Sequence, residues 1–277
     1  MSPHTNPSNH CISHTLLVRK VALLTKAYDH VLNEFTAAVV ERNSPEEAVD
    51  IINHYADQLK YFGKFEEAKR LYWRAIDDLA ENFGRGHVST VATVFKMGTL
   101  LHHLHELERA EELFSQAISE MEDQQPYKLL FLHGLGVVYA EQRKLSLAEK
   151  VLSKSLCGFT KKWGGNNMHV YITAIHLGEV YHFQGRRKNA ASMLRRGLLG
   201  VAREFGMSHD MITANAPKLK KVYEECRKYG KLGEAREICY MVLDTFETIF
   251  GLEHLEAQHV VLDLADMLKS NPVSWED

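Results

Sequence analysis

The sequence predicts an all-α chain, a superhelical stack of about five helical hairpins with a capping helix at each end. Two observations carry that prediction. First, Tyr61-Phe62-Gly63-Lys64-Phe65-Glu66-Glu67-Ala68-Lys69-Arg70-Leu71-Tyr72 joins two amphipathic runs across a Gly, and the second run sets Ala68, Tyr72 and Ala75 on one helical face. Second, the pattern returns, so that Ala68, Ala110, Ala148, Ala190 and Ala235 are separated by 42, 38, 42 and 45 positions by subtraction. A period of roughly 20 to 50 residues marks stacked units, none of which buries its apolar face alone.

Taken in order, residues 1–11 hold Pro3, Pro7, Ser and Asn with no basic cluster ahead of an apolar core. They are expected to be a disordered lead rather than a secretory signal. Residues 12–42 carry Leu16, Leu17, Val21, Leu24, Tyr28, Val31, Leu32, Phe35 and Val39 at helical spacing, and are expected to cap the open face of the first hairpin. Their few basic residues argue against a helix lying on a membrane surface. Ser44-Pro45-Glu46-Glu47 then opens the array, residues 44–251: Ser44 caps, Pro45 suits the first turn, and the acids complement the positive helix end.

Gly63, Gly185 and Gly230 mark the turns of hairpins one, four and five, while His105-Glu106 and Arg143-Lys144 serve hairpins two and three without Gly. Pro126 marks a shortened linker between hairpins two and three. Pro217 is expected near the start of the first helix of hairpin five, where Pro is tolerated. Leu255, Val260, Val261, Leu264 and Met267 set a C-terminal capping helix over 252–268, and 269–277 is a polar tail.

Each hairpin resembles a tetratricopeptide repeat, whose pattern places Leu-Gly and Tyr on the first helix and two Ala around a large apolar residue on the second. Hairpin four fits best, with Leu177-Gly178, Tyr181, Gly185, Ala190 and Leu194, although Gly197 replaces the last Ala. Hairpin three has Leu135-Gly136, Tyr139, Ala148 and Leu152; hairpin two has Met97-Gly98, Ala110, Phe114 and Ala117. Hairpins one and five depart further, with Tyr55-Ala56 and Val222-Tyr223 in place of Leu-Gly.

The linkers Phe83-Gly84-Arg85-Gly86-His87, Phe205-Gly206-Met207-Ser208-His209 and Phe250-Gly251-Leu252-Glu253-His254 share an aromatic, a Gly and a His; Trp163-Gly164-Gly165-Asn166-Asn167-Met168-His169 is a looser version. They are similar to the linkers of the kinesin-light-chain-type subfamily, also found in arrays attached to signalling ATPases. The likeness covers roughly Ser44 to Leu268 and implies a right-handed α–α superhelix that binds partners.

Composition sets the class of function. No uninterrupted apolar run approaches the roughly 18 residues of a membrane span, and a net charge of −3 argues against nucleic acid. Cys11, Cys157, Cys226 and Cys239 form no Cys-x-x-Cys pair and are expected to be buried thiols in a reducing, cytoplasmic location. Charge is uneven: acids prevail from Glu41 to Asp123, and bases from Arg186 to Arg236.

No phosphate loop, Gly-x-Ser-x-Gly elbow or His-Glu-x-x-His motif is present, so no cofactor or metal is expected. A superhelix binds on the concave side, lined by the first helix of each hairpin. Counting back from each Ala, the inward candidates are Asn53, Asp57 and Lys60 in hairpin one, and Phe95, Lys96, Thr99, His102 and His103 in hairpin two. Hairpin three offers His133 and Val137, hairpin four His176, Glu179 and His182, and hairpin five Lys220, Lys221 and Glu224.

These lead to an interaction scaffold or adaptor that holds a peptide or helix of a partner protein, with acidic partner residues near Lys220 and Lys221. Two other classes stay open: an enzyme or metal site built from His102, His133, His176, Glu179 and His182, and a sensor subunit of a larger signalling assembly. A chaperone-tail clamp is disfavoured, because the family's Lys and Asn pair would here be Asn53 and Asp57, and Asp57 repels a carboxylate. Tyr72, Trp73, Tyr139 and Tyr181 are read as packing residues.

Overall fold

The computed structural model describes residues 45–121, 126–207, 209–229 and 232–270. The expected lead and N-terminal cap, together with Ser44, Cys11 and Gly230, lie outside the described residues, as do 271–277 of the expected tail, whose first two residues belong to the last helix. Among the described residues the chain is helical with no strand. The helices are α1 (Pro45–Tyr61), α2 (Phe65–Phe83), α3 (Val88–His103), α4 (Leu107–Glu120), α5 (Pro126–Glu141), α6 (Leu145–Trp163), α7 (Met168–Phe183), α8 (Arg187–Phe205), α9 (Asp210–Tyr229), α10 (Leu232–Phe250) and α11 (Leu255–Ser270). The chain divides into two compact units, Met1–Leu100 and Leu101–Asp277.

The helix lengths account for the spacing of the alanines. The second helices α2, α6, α8 and α10 each have 19 residues, whereas α4 has 14. That deficit of five, offset by a linker one residue longer (121–125 against 84–87), shortens one period from 42 to 38. The last period reaches 45 because α9 has 20 residues where α3, α5 and α7 have 16, while the connection after it is one residue shorter.

Four hairpin turns close in the same way. Gly63, His105, Arg143 and Gly185 have φ of 74°, 57°, 62° and 75°, and the next residue's N–H reaches five residues back, as Lys64 does to Leu59 and Lys144 to Tyr139. This is the Schellman closure, which needs one left-handed residue. His105 and Arg143 therefore adopt a conformation that costs a non-glycine residue about 1 kcal/mol. The turns without Gly are real and locally strained.

The linker histidines cap helices. His87, His209 and His254 accept from the backbone N–H of Ser89, Met211 and Glu256 through Nδ1, at 3.4, 3.2 and 3.3 Å. Each ring also lies against the aromatic that ends the preceding helix, as His254 does on Phe250 at 4.7 Å between centroids and His87 on Phe83 at 4.9 Å. In the looser linker His169 is displaced, and Asn167 Oδ1 caps α7 by accepting from the His169 N–H at 2.9 Å. His169 stacks on Phe159 and Trp163 instead.

Packing follows the repeat. Ala68, Ala110, Ala148, Ala190 and Ala235 are at most 2% exposed. In the N-terminal unit Ile52, Ala56 and Leu59 of α1 are buried, as are Ala68, Leu71, Tyr72 and Ala75 of α2. In the C-terminal unit one apolar core runs from Phe159 to Met267 through α6–α11. A Cβ on Gly178 of α7 would sit 3.0 Å from the Leu194 backbone N and 3.1 Å from the Ala190 carbonyl O of α8. Only a glycine permits that approach.

Several expectations are corrected. Pro217 lies inside α9, well past its first turn, on an exposed face where the hydrogen bond it forgoes is the least costly one. Cys226 and Cys239 are buried but Cys157 is exposed, because it lies off the packed stripe of Ala148, Leu152, Ser155 and Phe159. Trp73 is exposed, one position beyond the buried Tyr72. Leu255 and Val261 of α11 are exposed, while Ala257, Val260, Leu264 and Met267 form its buried stripe.

Candidate functional site

In the N-terminal unit the predicted groove residues of α1 and α3 form one polar network. Tyr72 of α2 donates to Asp57, and Lys96 donates to the same carboxylate at 2.7 Å. Burial alone would raise the Asp57 carboxyl, but the Lys96 and Tyr72 hydrogen bonds and the nearby lysine charges outweigh it and hold it below the ordinary range. Tyr72 is driven up by burial and by Asp57. Asn53 Nδ2 donates to Thr93 Oγ1 at 2.7 Å, and Thr93 in turn donates to the Ser89 carbonyl.

Asn53 Oδ1 is buried and has no partner. A cleft of about 320 Å³ beside it is lined by Asp50, Asn53, His54, Asp57, Ser89 and Lys96. Thr99 is turned onto the Lys96 carbonyl, Phe95 and Lys60 are half-buried, and Lys60 adds a second positive charge near Asp57.

In the C-terminal unit His133 Nδ1 lies 2.8 Å from Thr173 Oγ1, whose proton goes to the His169 carbonyl at 2.6 Å. Thr173 can only accept from the ring, which assigns the Nδ1–H tautomer and leaves Nε2 as a bare acceptor. Burial, then the charge of His169, pushes His133 down to about 4. His176, 5.0 Å away between centroids, is held well below its usual value by burial, then by His133, Lys218 and His102. Both rings are neutral at pH 7. The Nδ1 atoms of His176 and His182 are buried without a hydrogen-bond partner.

The five residues of the metal or enzyme alternative do not converge. His102 is bound to Glu141 at 2.8 Å, Glu179 is paired with Lys218, and His182 lies 3.6 Å from Glu225. His133 and His176 are in ring contact, and His102 acts on His176 electrostatically. Among the described residues no three His, Cys, Asp or Glu are placed to hold a metal ion. His182 is lowered by burial, which prevails over Glu225.

At hairpin five Lys220 is paired with Glu256 of α11, and Arg227 and Tyr223 both bond Asp263. Two cations of the basic stretch, Lys220 and Arg227, are thus held by the capping helix; Lys221 and Glu224 remain exposed, Val137 is half-buried and His103 is exposed.

Sequence reasoning missed the partners of these residues. Asn53–Thr93, Asp57–Lys96, His102–Glu141, His133–Thr173, Glu179–Lys218, Lys220–Glu256 and Tyr223–Asp263 are separated by 40, 39, 39, 40, 39, 36 and 40 positions. Complementary side chains about one period apart were the signal that would have found them.

No family model matches the chain, and no curated protein matches it in sequence. Solved structures do. A kinesin light chain of Podosopora anserina with nearly identical TPR-like repeats superposes with a TM-score of 0.57 at 17% identity, covering 74% of this chain and 98% of that one. BtubC (BKLC) from P. vanneervenii superposes with 0.54 at 14% identity, covering 99% and 95%. A Rap protein complexed with competence and sporulation factor gives 0.53 at 15%, covering 83% and 66%. At these identities the likeness is one of fold, and it agrees with the hairpins, turns and crossing alanines above: the fold is an all-α hairpin repeat of the tetratricopeptide type.

Proposed function

We propose that the chain is a protein-interaction scaffold whose first helices hold an extended segment of a partner protein. The observation that carries this reading is the pair of buried, unpartnered polar atoms on predicted groove residues, His176 Nδ1 on α7 and, in the other unit, Asn53 Oδ1 on α1. A buried polar atom left without a partner costs about 1–3 kcal/mol. An extended backbone, which carries a donor and an acceptor on nearly every residue, is the ligand that relieves it. A Rap protein of similar fold is complexed with competence and sporulation factor, which supports binding as the use of such a scaffold.

The acidic partner residue is best placed at Lys221, because Lys220 is held by Glu256. Lys221 acts on His182 electrostatically, so the two belong to one neighbourhood. No reaction is assigned.

Photo-crosslinking tests the reading. A photoreactive residue at Val137 or His182 is expected to trap one linear segment of the partner, while the same residue at Glu112 or Lys150 of the second helices traps none. Equal labelling from both sets would reject the placement. Lys221→Gln should weaken that segment several-fold if its acidic residue lies there.

A further inference from the structure

The second-helix layer of the C-terminal unit contains a pocket that no groove reading uses. It has a volume of about 420 Å³ and is lined by Gly165 and Asn166 of the α6–α7 linker, Tyr171 of α7, and Arg195, Arg196 and Arg203 of α8. Tyr171 is 3% exposed, and its hydroxyl is buried with no hydrogen-bond partner. Its ring lies where a Cβ on Gly200 would be, 2.2 Å from Cδ1, so a glycine on α8 is what admits the aromatic ring to this position. Arg195 Nε is likewise buried and unpartnered, although the other end of its guanidinium is paired with Asp244 of α10.

The unpaired atoms are both donors. Burial, then the charge of Glu204, keeps the Tyr171 hydroxyl protonated, and Arg203 and Arg196 act on the same hydroxyl electrostatically, which sets it among the arginines. Asp244 and Glu204 are the carboxylates nearby, against three guanidinium groups. The pocket is short of acceptors and carries excess positive charge. An oxyanion with several lone pairs is the chemistry that satisfies it, and guanidinium forks match phosphoryl oxygens two at a time. The volume exceeds that of a bare phosphate and falls in the range of small-ligand sites.

We infer that this pocket binds a phosphomonoester, with Arg196 and Arg203 taking the phosphoryl oxygens and Tyr171 donating from the floor. The ester is supplied either by a small molecule or by a phosphorylated side chain of a partner.

The full chain is titrated calorimetrically at fixed salt with inorganic phosphate, phenyl phosphate and a short phosphoserine peptide. Saturable binding is expected, with an ester tighter than inorganic phosphate; whether phenyl phosphate or the peptide is tighter assigns the source. Tyr171→Phe keeps the ring and should weaken binding about three- to tenfold. Arg196→Gln with Arg203→Gln, both on the exposed face, should weaken it at least tenfold. Lys150→Gln with Lys154→Gln, an equal charge change on exposed positions of α6, should leave it unchanged. Absence of saturation, indifference to Tyr171→Phe and the arginine pair, or an equal loss in the lysine pair each overturns the site.

Discussion

Gly178→Ala tests the close crossing of α7 and α8. On an isolated helix the added methyl would stabilise by about 1 kcal/mol, since Gly is the poorer helix former. Here the Cβ would lie 2.8 Å from Leu194 Cγ, 3.0 Å from the Leu194 backbone N and 3.1 Å from the Ala190 carbonyl O. Leu194 and Ala190 are fully buried, and backbone atoms cannot rotate away. α8 must therefore shift as a body. Overpacking of this kind costs about 1–3 kcal/mol, and the upper end applies where the obstacle is backbone. Less the propensity gain, about 2 kcal/mol of stability should be lost.

The control is Gly233→Ala, on an exposed position of α10 where a Cβ meets nothing within 4 Å. It should gain up to about 1 kcal/mol. Because a solenoid's stability is a sum of local terms, amide hydrogen exchange over α7 and α8 is the informative assay, with urea midpoints beside it. A loss of 2 kcal/mol shifts a midpoint by roughly 1 M urea. Combined with Leu194→Ala, which removes the Cγ contact, the double variant should cost about 1 kcal/mol less than the sum of the two singles. If Gly178→Ala is as stable as the parent protein, the helices do not cross at this residue.

Other perturbations test the polar layer and the linkers. The Asp57 carboxyl is lower folded than its unfolded value of about 3.9, so its contribution is present above that pH and lost as pH falls through the folded value; Asp57→Asn should cost about 1 kcal/mol at pH 7, after screening at this half-exposed site, and remove that acid dependence from the urea midpoint of the N-terminal unit. His133 is at about 4 folded against 6.5 unfolded, so the unfolded chain binds more protons between those values and stability falls as pH drops through that window; its imidazole resonances should still report the neutral ring at pH 5.5, and His133→Gln should flatten the stability profile there. His254→Ala removes the α11 cap and should cost about 1 kcal/mol by thermal unfolding, whereas His254→Asn should retain most of it.

The fold was legible because the seam is written in small residues at fixed positions: a buried Ala in the first turn of every second helix leaves a mark that single residues cannot hide. The turns at His105 and Arg143 were legible only as gaps in the pattern, since nothing local in a His or Arg announces a positive φ. Pro217 was misread because its tolerance inside α9 depends on which way that turn faces, a tertiary fact. The groove residues were found by counting along each helix, yet the count gives direction and not partners. Lys220 looked like a cation awaiting an acidic ligand until Glu256 of the capping helix was found beside it. The pocket around Tyr171 left no sequence signal, for it needs Gly200, a linker and three arginines whose meeting is set by helix rotation.

The polar pairs of the C-terminal unit differ at each junction between successive first helices. The α3–α5 junction uses His102 with Glu141, α5–α7 uses His133 with Thr173, α7–α9 uses Glu179 with Lys218, and α9–α11 uses Lys220 with Glu256 and Tyr223 with Asp263. An apolar seam of similar Ala and Leu residues is degenerate, because one hairpin face would accept another nearly as well as its own neighbour. The pairs remove that degeneracy. Docking α5 onto α9, for instance, would set the neutral, half-buried His133 against the lysine-rich face of α9 and leave Glu179 without Lys218. Half-exposed ion pairs add little stability, about 0–1 kcal/mol each, but a mispaired buried group costs several times that. The layer therefore fixes the order of the stack more than its strength. The atom it leaves unpaired, His176 Nδ1, is not part of that ordering and remains open to a partner.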